Sequence, residues 1–481
     1  MKHRLLTRYS RFIFLLAAIL LIHNPSAATI VNSQSVSQPA APIQGQSRIG
    51  AVESFFRPAD ATEADLGWER IIFEWRNFQP DNADQWNTAR VPDVWLEEAA
   101  KQGRMVVGLI KNAPHWATHS DLLGAPPLGL DLPIDDPGNT WAVFVRKLVM
   151  FYGTRWHIHH WIIYNEPDIR PENTSFFEFS GSVRDYYKLV KVAYKVAHAT
   201  DPQALIHLAG FTYWHDAIYE RPFYLDRFLH TAYGDPEARA NNLFFDVLSV
   251  HVFEGTDWVW YITQFSKHLP ETLGFSKPVW INEMNARVTE DKGYPIRGGN
   301  PKVTLEQQAA FIMQGAALGL AAGAERIEVY KLYDNVQGED YESWGLVRVD
   351  GTRRPAYYAL KTASRYFGAA TNATRTRNAF ATMVTFVEAG RTVYVVWNRT
   401  NQPRTIRIGA VRSRTGAVMV SMLGDVSNLP ASESNNASYD ILLPPCYGAC
   451  TIQGVPLILI QPGTPQRAWA MNGTIPVPLT R

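Results

Sequence analysis

Two glutamates occupy turns that follow short apolar runs: Glu166 in Trp161-Ile162-Ile163-Tyr164-Asn165-Glu166-Pro167-Asp168, and Glu283 in Pro278-Val279-Trp280-Ile281-Asn282-Glu283. A pair of carboxyl groups divides acid–base work. One, protonated, assists a departing oxygen, while the other, ionised, attacks or stabilises the carbon left behind, the division that cleavage of a glycosidic bond requires. A lone glutamate at a strand end is an ordinary solvated or salt-bridged residue, so the weight falls on the elements that bring these two together. Metal chemistry has less support. His157, His159 and His160 precede the run that leads to Glu166, which puts them on the opposite rim, and Cys446 and Cys450 have no second Cys or His pair nearby to complete four ligands. The expected chemistry uses neither metal nor cofactor.

The positioning elements follow from the rhythm of the chain. From Arg48 to about Gly368, β-branched runs alternate with segments of helical period, the pattern of parallel βα units. Eight strands are expected: Ile49–Ser54, Arg70–Glu74, Met105–Ile110, Trp161–Tyr164, Leu205–Gly210, Val247–His251, Val279–Asn282 and Glu325–Leu332. Helical patterns between them include Val183–Thr200, ended by Asp201-Pro202, and Leu305–Ala322, which Thr304 caps with Gln307 completing the box. An open doubly wound sheet is a poorer fit, because no Gly-x-Gly-x-x-Gly turn follows the first strand. The expected fold class is therefore α/β: a (β/α)8 TIM barrel over residues 48–370. Closure puts all strand ends on one rim, where such barrels carry active sites, and brings Glu166 and Glu283 face to face.

After Ala369 the helical period disappears. Short strands are expected at Phe380–Glu388, Thr392–Asn398, Arg404–Ile408, Val418–Met422, Tyr439–Leu443 and Pro456–Gln461, making residues 371–481 a small C-terminal β-sandwich domain with the chain looping back after the Cys pair. Cys446 and Cys450 suit a local disulfide, with two free thiols as the alternative. Asn173, Asn372, Asn398, Asn436 and Asn472 each begin an Asn-x-Ser/Thr triplet, which matters only in a host that glycosylates.

Lys and Arg number 46 against 45 Asp and Glu, so charge draws the chain neither to nucleic acid nor to an anionic membrane. Aromatic residues are 12% of the chain, more flat apolar surface than a core strictly requires and suited to a carbohydrate partner. Lys2, Arg4, Arg8 and Arg11 precede the apolar run 12–22, and Ser26-Ala27-Ala28 offers small residues for cleavage, so residues 1–28 read as a signal peptide. That run is shorter than the roughly 20 residues that span a bilayer, so no stable membrane insertion is expected. Secretion or another extracytoplasmic location follows, with an uncleaved N-terminal anchor as the alternative. Residues 29–47, rich in Ser, Gln, Pro and Ala, read as a flexible linker. Oligomeric state is left open.

The two glutamate turns, taken with their order in the chain, resemble those of the clan A retaining glycoside hydrolases. The resemblance extends through Arg70 to Pro80 (RIIFEWRNFQP) with Trp86, through Asn112-Ala113-Pro114-His115-Trp116, and through Trp344-Gly345-Leu346 and Arg354-Pro355-Ala356-Tyr357-Tyr358-Ala359-Leu360-Lys361. It covers roughly residues 48 to 368. In layout the chain is most similar to bacterial relatives of the β-xylosidase and α-L-iduronidase family (glycoside hydrolase family 39), among them secreted endoglycosidases of exopolysaccharide.

The resemblance implies hydrolysis of β-linked glycans with retention, Glu283 as nucleophile and Glu166 as acid/base. While Glu283 is ionised its charge helps Glu166 keep a proton; once Glu283 is esterified that charge is gone and Glu166 serves as base towards water. Asn165 is implied to bond the sugar 2-hydroxyl. His251 would line the sugar site, and Arg70 would sit near the nucleophile, a structural ion pair being the alternative for Arg70. Trp116, Trp214, Trp258 and Trp260 fall in expected strand-end loops, where rings either stack on sugar faces or pack within their own loops. Two departures affect the sugar subsite. Phe253 stands where clan members commonly have a tyrosine bonded to the nucleophile, leaving Tyr261 as a possible donor. Tyr330-Lys331-Leu332-Tyr333 replaces the usual tryptophan floor after strand eight, where Trp344 could fold over instead. Transglycosylation with the same pair and a non-catalytic carbohydrate-binding barrel are the alternatives, the second disfavoured by the presence of both glutamates.

Overall fold

The computed structural model describes residues 47–292, 294, 302–335, 343–388, 390–411, 416–429 and 438–464. The expected signal segment, the linker up to residue 46, Asn436 and Asn472 lie outside the described residues. Among the described residues no helix is long and apolar enough to cross a membrane. The chain divides into two compact units, whose described parts are residues 68–251 with 264–282, and residues 47–67, 252–263 and 283–464.

Eight strands form one sheet: β1 (Ile49–Ala51), β2 (Trp68–Glu74), β3 (Met105–Lys111), β4 (His160–Ile163), β5 (Leu205–Leu208), β6 (Leu248–Phe253), β7 (Val279–Asn285) and β8 (Ala324–Val329), in the order β5-β4-β3-β2-β1-β8-β7-β6. Two parallel bridges, His207 to Val247 and Phe211 to Val250, link the ends of that order. The result is the expected (β/α)8 barrel.

Strand alternation accounts for the core. Val107 and Leu109 of β3 meet Trp68, Ile162, Val247 and Trp280 in one buried cluster. The intervening Gly108 lies beneath the Trp161 ring, where a Cβ would come within 2.4 Å of it, so a side chain there would displace the indole. Trp161 in turn meets Phe73, which packs edge-on against Tyr152 of the helix Thr140–Trp156.

Strand boundaries differ from expectation at the functional rim. β4 stops at Ile163 because Tyr164 takes φ +60°, and the chain then turns through Glu166 at φ +42°. β7, by contrast, continues through Glu283 to Asn285. β1 ends at Ala51, with Ser54–Phe56 forming a 3-10 turn, and β8 ends at Val329, before Tyr330.

After the helix Pro355–Phe367 the chain forms β9 (Ala373–Arg377), β10 (Ala381–Glu388), β11 (Arg391–Asn398), β12 (Arg404–Gly409), β13 (Ala417–Ser421), β14 (Val426–Leu429), β15 (Ser438–Leu443) and β16 (Leu457–Pro462). Six of them form an antiparallel sheet of order β14-β13-β16-β11-β10-β9, and β12 pairs with β15 as a ribbon. Met383, Tyr394, Val396 and Leu459 from the sheet pack with Ile406, Ile408, Ile441 and Leu443 from the ribbon, which makes the sandwich. On the opposite face Phe386 stacks on Phe367. The loop back after the cysteines is the central strand β16, and Cys446 and Cys450 form a disulfide. β9 and β14 were not expected: both are edge strands, and β9 reads Ala-Thr-Arg-Thr-Arg, with little apolar alternation to mark it.

The helix Leu305–Ala321 carries the expected box: Gln307 N–H donates to Thr304 Oγ1 at 3.1 Å, and Thr304 N–H donates to Gln307 Oε1 at 2.9 Å. Thr304→Ala should lower stability by about 1 kcal/mol, measured as a reduced urea midpoint with an unchanged slope.

Candidate active site

Every backbone group that leaves a strand loses its ladder partners, so the exit of β4 must be held by other bonds. Two buried side chains hold it. The Tyr186 hydroxyl donates to the Ile163 carbonyl at 3.0 Å and accepts from Ala209 N–H at 2.7 Å, tying the ends of β4 and β5 together. Asp168 Oδ2 accepts from Thr212 N–H (2.8 Å), Thr212 Oγ1–H (2.6 Å) and Tyr213 N–H (3.0 Å). Burial pushes the Asp168 carboxyl above the usual range, while these donors work the other way.

Between those anchors lie Asn165 and Glu166. Glu166 Oε1 and His251 Nδ1, from β6, are hydrogen-bonded at 2.6 Å, with the imidazole fully buried and the carboxyl 16% exposed. Whichever partner carries the proton, this bond holds one carboxyl oxygen against the ring. Room for that ring depends on Gly210, where a Cβ would come within 2.1 Å of the imidazole.

Asn165 Nδ2 donates to Glu178 Oε1 at 3.2 Å, and Lys111 Nζ donates to Glu178 Oε2 at 2.6 Å. The amide is thus oriented with its donor used, and Oδ1, buried and without a partner among the described residues, is left to accept. Glu178 escapes a sequence reading because it sits in an irregular loop with no motif around it. Arg70 is buried in β2.

The second unit holds Glu283 within the buried run of β7, 6% exposed. In the same unit Trp344 is half-buried and packs edge-on against Phe253 at 5.0 Å and Tyr330 at 6.0 Å. The two departures from the clan pattern therefore meet in one aromatic group with Trp344. Its backbone is fixed: Asn285 Nδ2 donates to the Trp344 carbonyl at 2.7 Å, and Arg354 pairs with Asp291 at 2.9 Å and Asp334 at 2.6 Å. Gly345 lies so close to Asp334 that a Cβ would meet its backbone nitrogen at 2.4 Å.

Other expected aromatic platforms are engaged elsewhere. Tyr261 Oη accepts from Arg377 Nη1 at 2.6 Å, and the Trp260 ring is covered by the Arg375 guanidinium at 3.7 Å, so both residues join the helix Thr256–Thr272 to β9. For Trp260 the ring is thus packed within the protein, the second of the two roles expected of it. Trp116 is half-buried; its indole N–H donates to the Gln79 carbonyl at 2.7 Å and its ring meets Trp75 edge-on at 5.8 Å. Trp214 remains 39% exposed against His215, and the Trp258 ring packs over Gly255.

No protein-family model and no curated protein matches the chain by sequence. By structure it is similar to a family 39 glycoside hydrolase from the gut symbiont Bacteroides cellulosilyticus WH2, with a TM-score of 0.63 at 14% identity over 87% of this chain and 82% of that one. A monomeric β-xylosidase from Caulobacter crescentus CB15 is similar with a TM-score of 0.58 at 12% identity, covering 88% and 98% of the two chains. The catalytic domain of a family 30 xylanase C from Talaromyces cellulolyticus is similar with a TM-score of 0.57 at 13% identity, again over 88% and 98%. The fold is thus that of the clan A glycoside hydrolases.

Beside Asp168, Asp216 accepts from Tyr224 N–H at 2.7 Å and pairs with Arg221 at 2.9 Å. Burial and the nearby Asp168 outweigh Arg221 and raise the Asp216 pKa from 3.8 to about 7. The folded protein then holds a proton that the unfolded chain has lost. This contribution to stability is complete below pH 3.8 and disappears as the pH rises through about 7. Asp216→Asn should flatten the fall in unfolding free energy over that window, measured by urea titration at a series of pH values.

Proposed function

We propose that the chain is a secreted retaining glycoside hydrolase acting on β-linked glycans, with Glu166 as acid/base and Glu283 as nucleophile. The observation that carries this reading is the β4 exit, where Glu166 is held by His251 beside an amide oriented to accept a hydroxyl. Glu283 belongs to β7 of the same barrel, close to the carboxyl end at which barrel enzymes carry their chemistry. Similar folds whose names include β-xylosidase and xylanase support a β-linked substrate. The positively charged, apolar N-terminal segment and the Cys446–Cys450 disulfide support export.

In the first step a Glu283 carboxylate oxygen bonds to the anomeric carbon as the glycosidic C–O bond breaks, and the Glu166 proton passes to the departing oxygen. His251 keeps the Glu166 carboxyl facing the bond. Water then attacks the glycosyl-enzyme, giving its proton to Glu166 and releasing Glu283 as carboxylate, so two inversions leave the configuration unchanged. Asn165 Oδ1 accepts the 2-hydroxyl, a bond that strengthens as positive charge develops on the ring. Phe253, Tyr330 and Trp344 form an aromatic group in the unit that holds Glu283.

Glu283→Ala and Glu166→Gln should each lower kcat on unactivated substrates by roughly 10³-fold or more, with circular dichroism unchanged. On an aryl glycoside with a good leaving group, Glu166→Gln should slow release of the glycosyl-enzyme far more than its formation, seen as a burst. Proton NMR of the first-formed sugar should show the substrate's own anomeric configuration, and inversion would refute the double displacement. Absence of activity on any glycan by wild-type protein would favour the binding barrel, whereas products extended by added acceptor sugars would indicate transglycosylation.

Glu178→Ala frees the Asn165 amide and should lower kcat/KM by roughly ten- to a hundred-fold without changing product configuration. An unchanged kcat/KM would remove Glu178 from the site.

A further inference from the structure

A cleft of about 770 Å³ opens beside the same β4 exit, on the segments that follow β4 and β5. Four guanidinium groups line it: Arg170, Arg184, Arg221 and Arg227. Two carboxylates share the lining, and both are paired at its edge, Glu172 with Arg170 at 3.3 Å and Asp226 with His230 at 3.4 Å. A third, Asp216, is buried and pairs with Arg221 and, at 3.5 Å, with Arg227. Positive charge remains in excess, and Arg184 is exposed with no ion pair among the described residues.

These cations are held in place before any ligand arrives. Arg221 donates to the Asn173 side chain and the Asp168 carbonyl, both at 2.9 Å, with its guanidinium over the Tyr219 ring at 5.4 Å. Arg227 donates to the Pro222 carbonyl at 3.1 Å and lies over the Tyr224 ring at 5.1 Å. Arg170 donates to the Gly181 carbonyl. Anchored arginines lose little side-chain freedom on binding, and their planar N–H groups match the spacing of oxyanions. Arg170 follows Glu166 by four residues, and Arg221 grips the backbone of Asp168 in the intervening turn. A chain bound at Glu166 and extending along the β4 exit would therefore enter this cleft.

We propose that the cleft is a subsite for the anionic substituents of a glycan, carboxylate or sulfate, and that the substrate is consequently an acidic polysaccharide. This rests on the glycoside hydrolase reading above and adds a substrate class to it. The Asp168 carbonyl couples the subsite to the turn that carries the acid/base, so filling it with an anionic residue also steadies that turn.

The test measures binding apart from turnover. A β-linked oligoglucuronate, a sulfated xylo-oligosaccharide that carries no carboxylate, a neutral xylo-oligosaccharide of matched length and sodium sulfate are titrated calorimetrically into full-length Glu283→Ala protein, and into the same protein also carrying Arg184→Glu or Arg227→Gln. One of the two charged oligosaccharides should bind roughly ten-fold or more tighter than the neutral one, and its identity distinguishes carboxylate from sulfate. Arg184→Glu should weaken that binding by roughly five-fold or more, and raised salt should weaken it further. Equal affinity for charged and neutral probes, indifference to both arginine changes, or sodium sulfate binding as tightly as the oligosaccharide would each overturn the proposal. Wild-type hydrolysis of aryl glycosides is scored alongside. Activity without charged-probe binding refutes the subsite alone, whereas charged-probe binding with no activity on any substrate refutes the hydrolase reading and leaves the subsite standing.

Discussion

The β4 exit depends on one buried carboxylate. Asp168 has no access to solvent and satisfies Oδ2 with three donors from the segment after β5. Its own carbonyl is held by Arg221. Without those bonds the Asn165-Glu166-Pro167 turn would have no reason to keep Tyr164 and Glu166 at positive φ, a backbone state that non-glycine residues adopt only when their surroundings compensate. The 2.6 Å Glu166–His251 bond, the orientation of Asn165 and the position of the arginine cleft all follow from where that turn is pinned.

The rim is otherwise built by close approach. Gly210 admits the His251 ring, and Gly345 lets the loop carrying Trp344 lie against Asp334. In each case the glycine matters for the volume it leaves to a neighbour. Polar bonds then fix what packing allows: Lys111 and Glu178 orient an amide, and Arg354 with Asp291 and Asp334 fixes the segment after β8. In the second unit, Tyr261 and Trp260 contact β9, so aromatic residues that look available in the sequence serve as structural contacts with Arg377 and Arg375.

Much of this was legible beforehand because it rests on local periodicity. The eight strands, the helices Val183–Thr200 and Leu305–Ala321, the Thr304–Gln307 box and the loop back through β16 are recorded by apolar spacing and capping residues. The edge strands β9 and β14 were not legible, because an edge position needs little apolar alternation. Glu178 and the four cleft arginines were equally hidden. They lie on loops and helix ends without motif, and their charges acquire meaning only from the neighbours that folding supplies.

By itself, the sequence determined that this is a parallel α/β barrel with a β appendage, and which two glutamates stand near the exits of its fourth and seventh strands, since both depend on short-range pattern. The tertiary structure alone decided which side chains hold those exits. It joined His251 to Glu166, turned Asn165 towards Glu178, set Trp344 against Phe253 and Tyr330, and gathered arginines from the loops and helix ends after β4 and β5 into one cleft. The physical reason is separation along the chain. Hydrogen bonds and ring contacts act over a few ångströms, whereas the residues that make them here are brought within reach only by the tertiary fold.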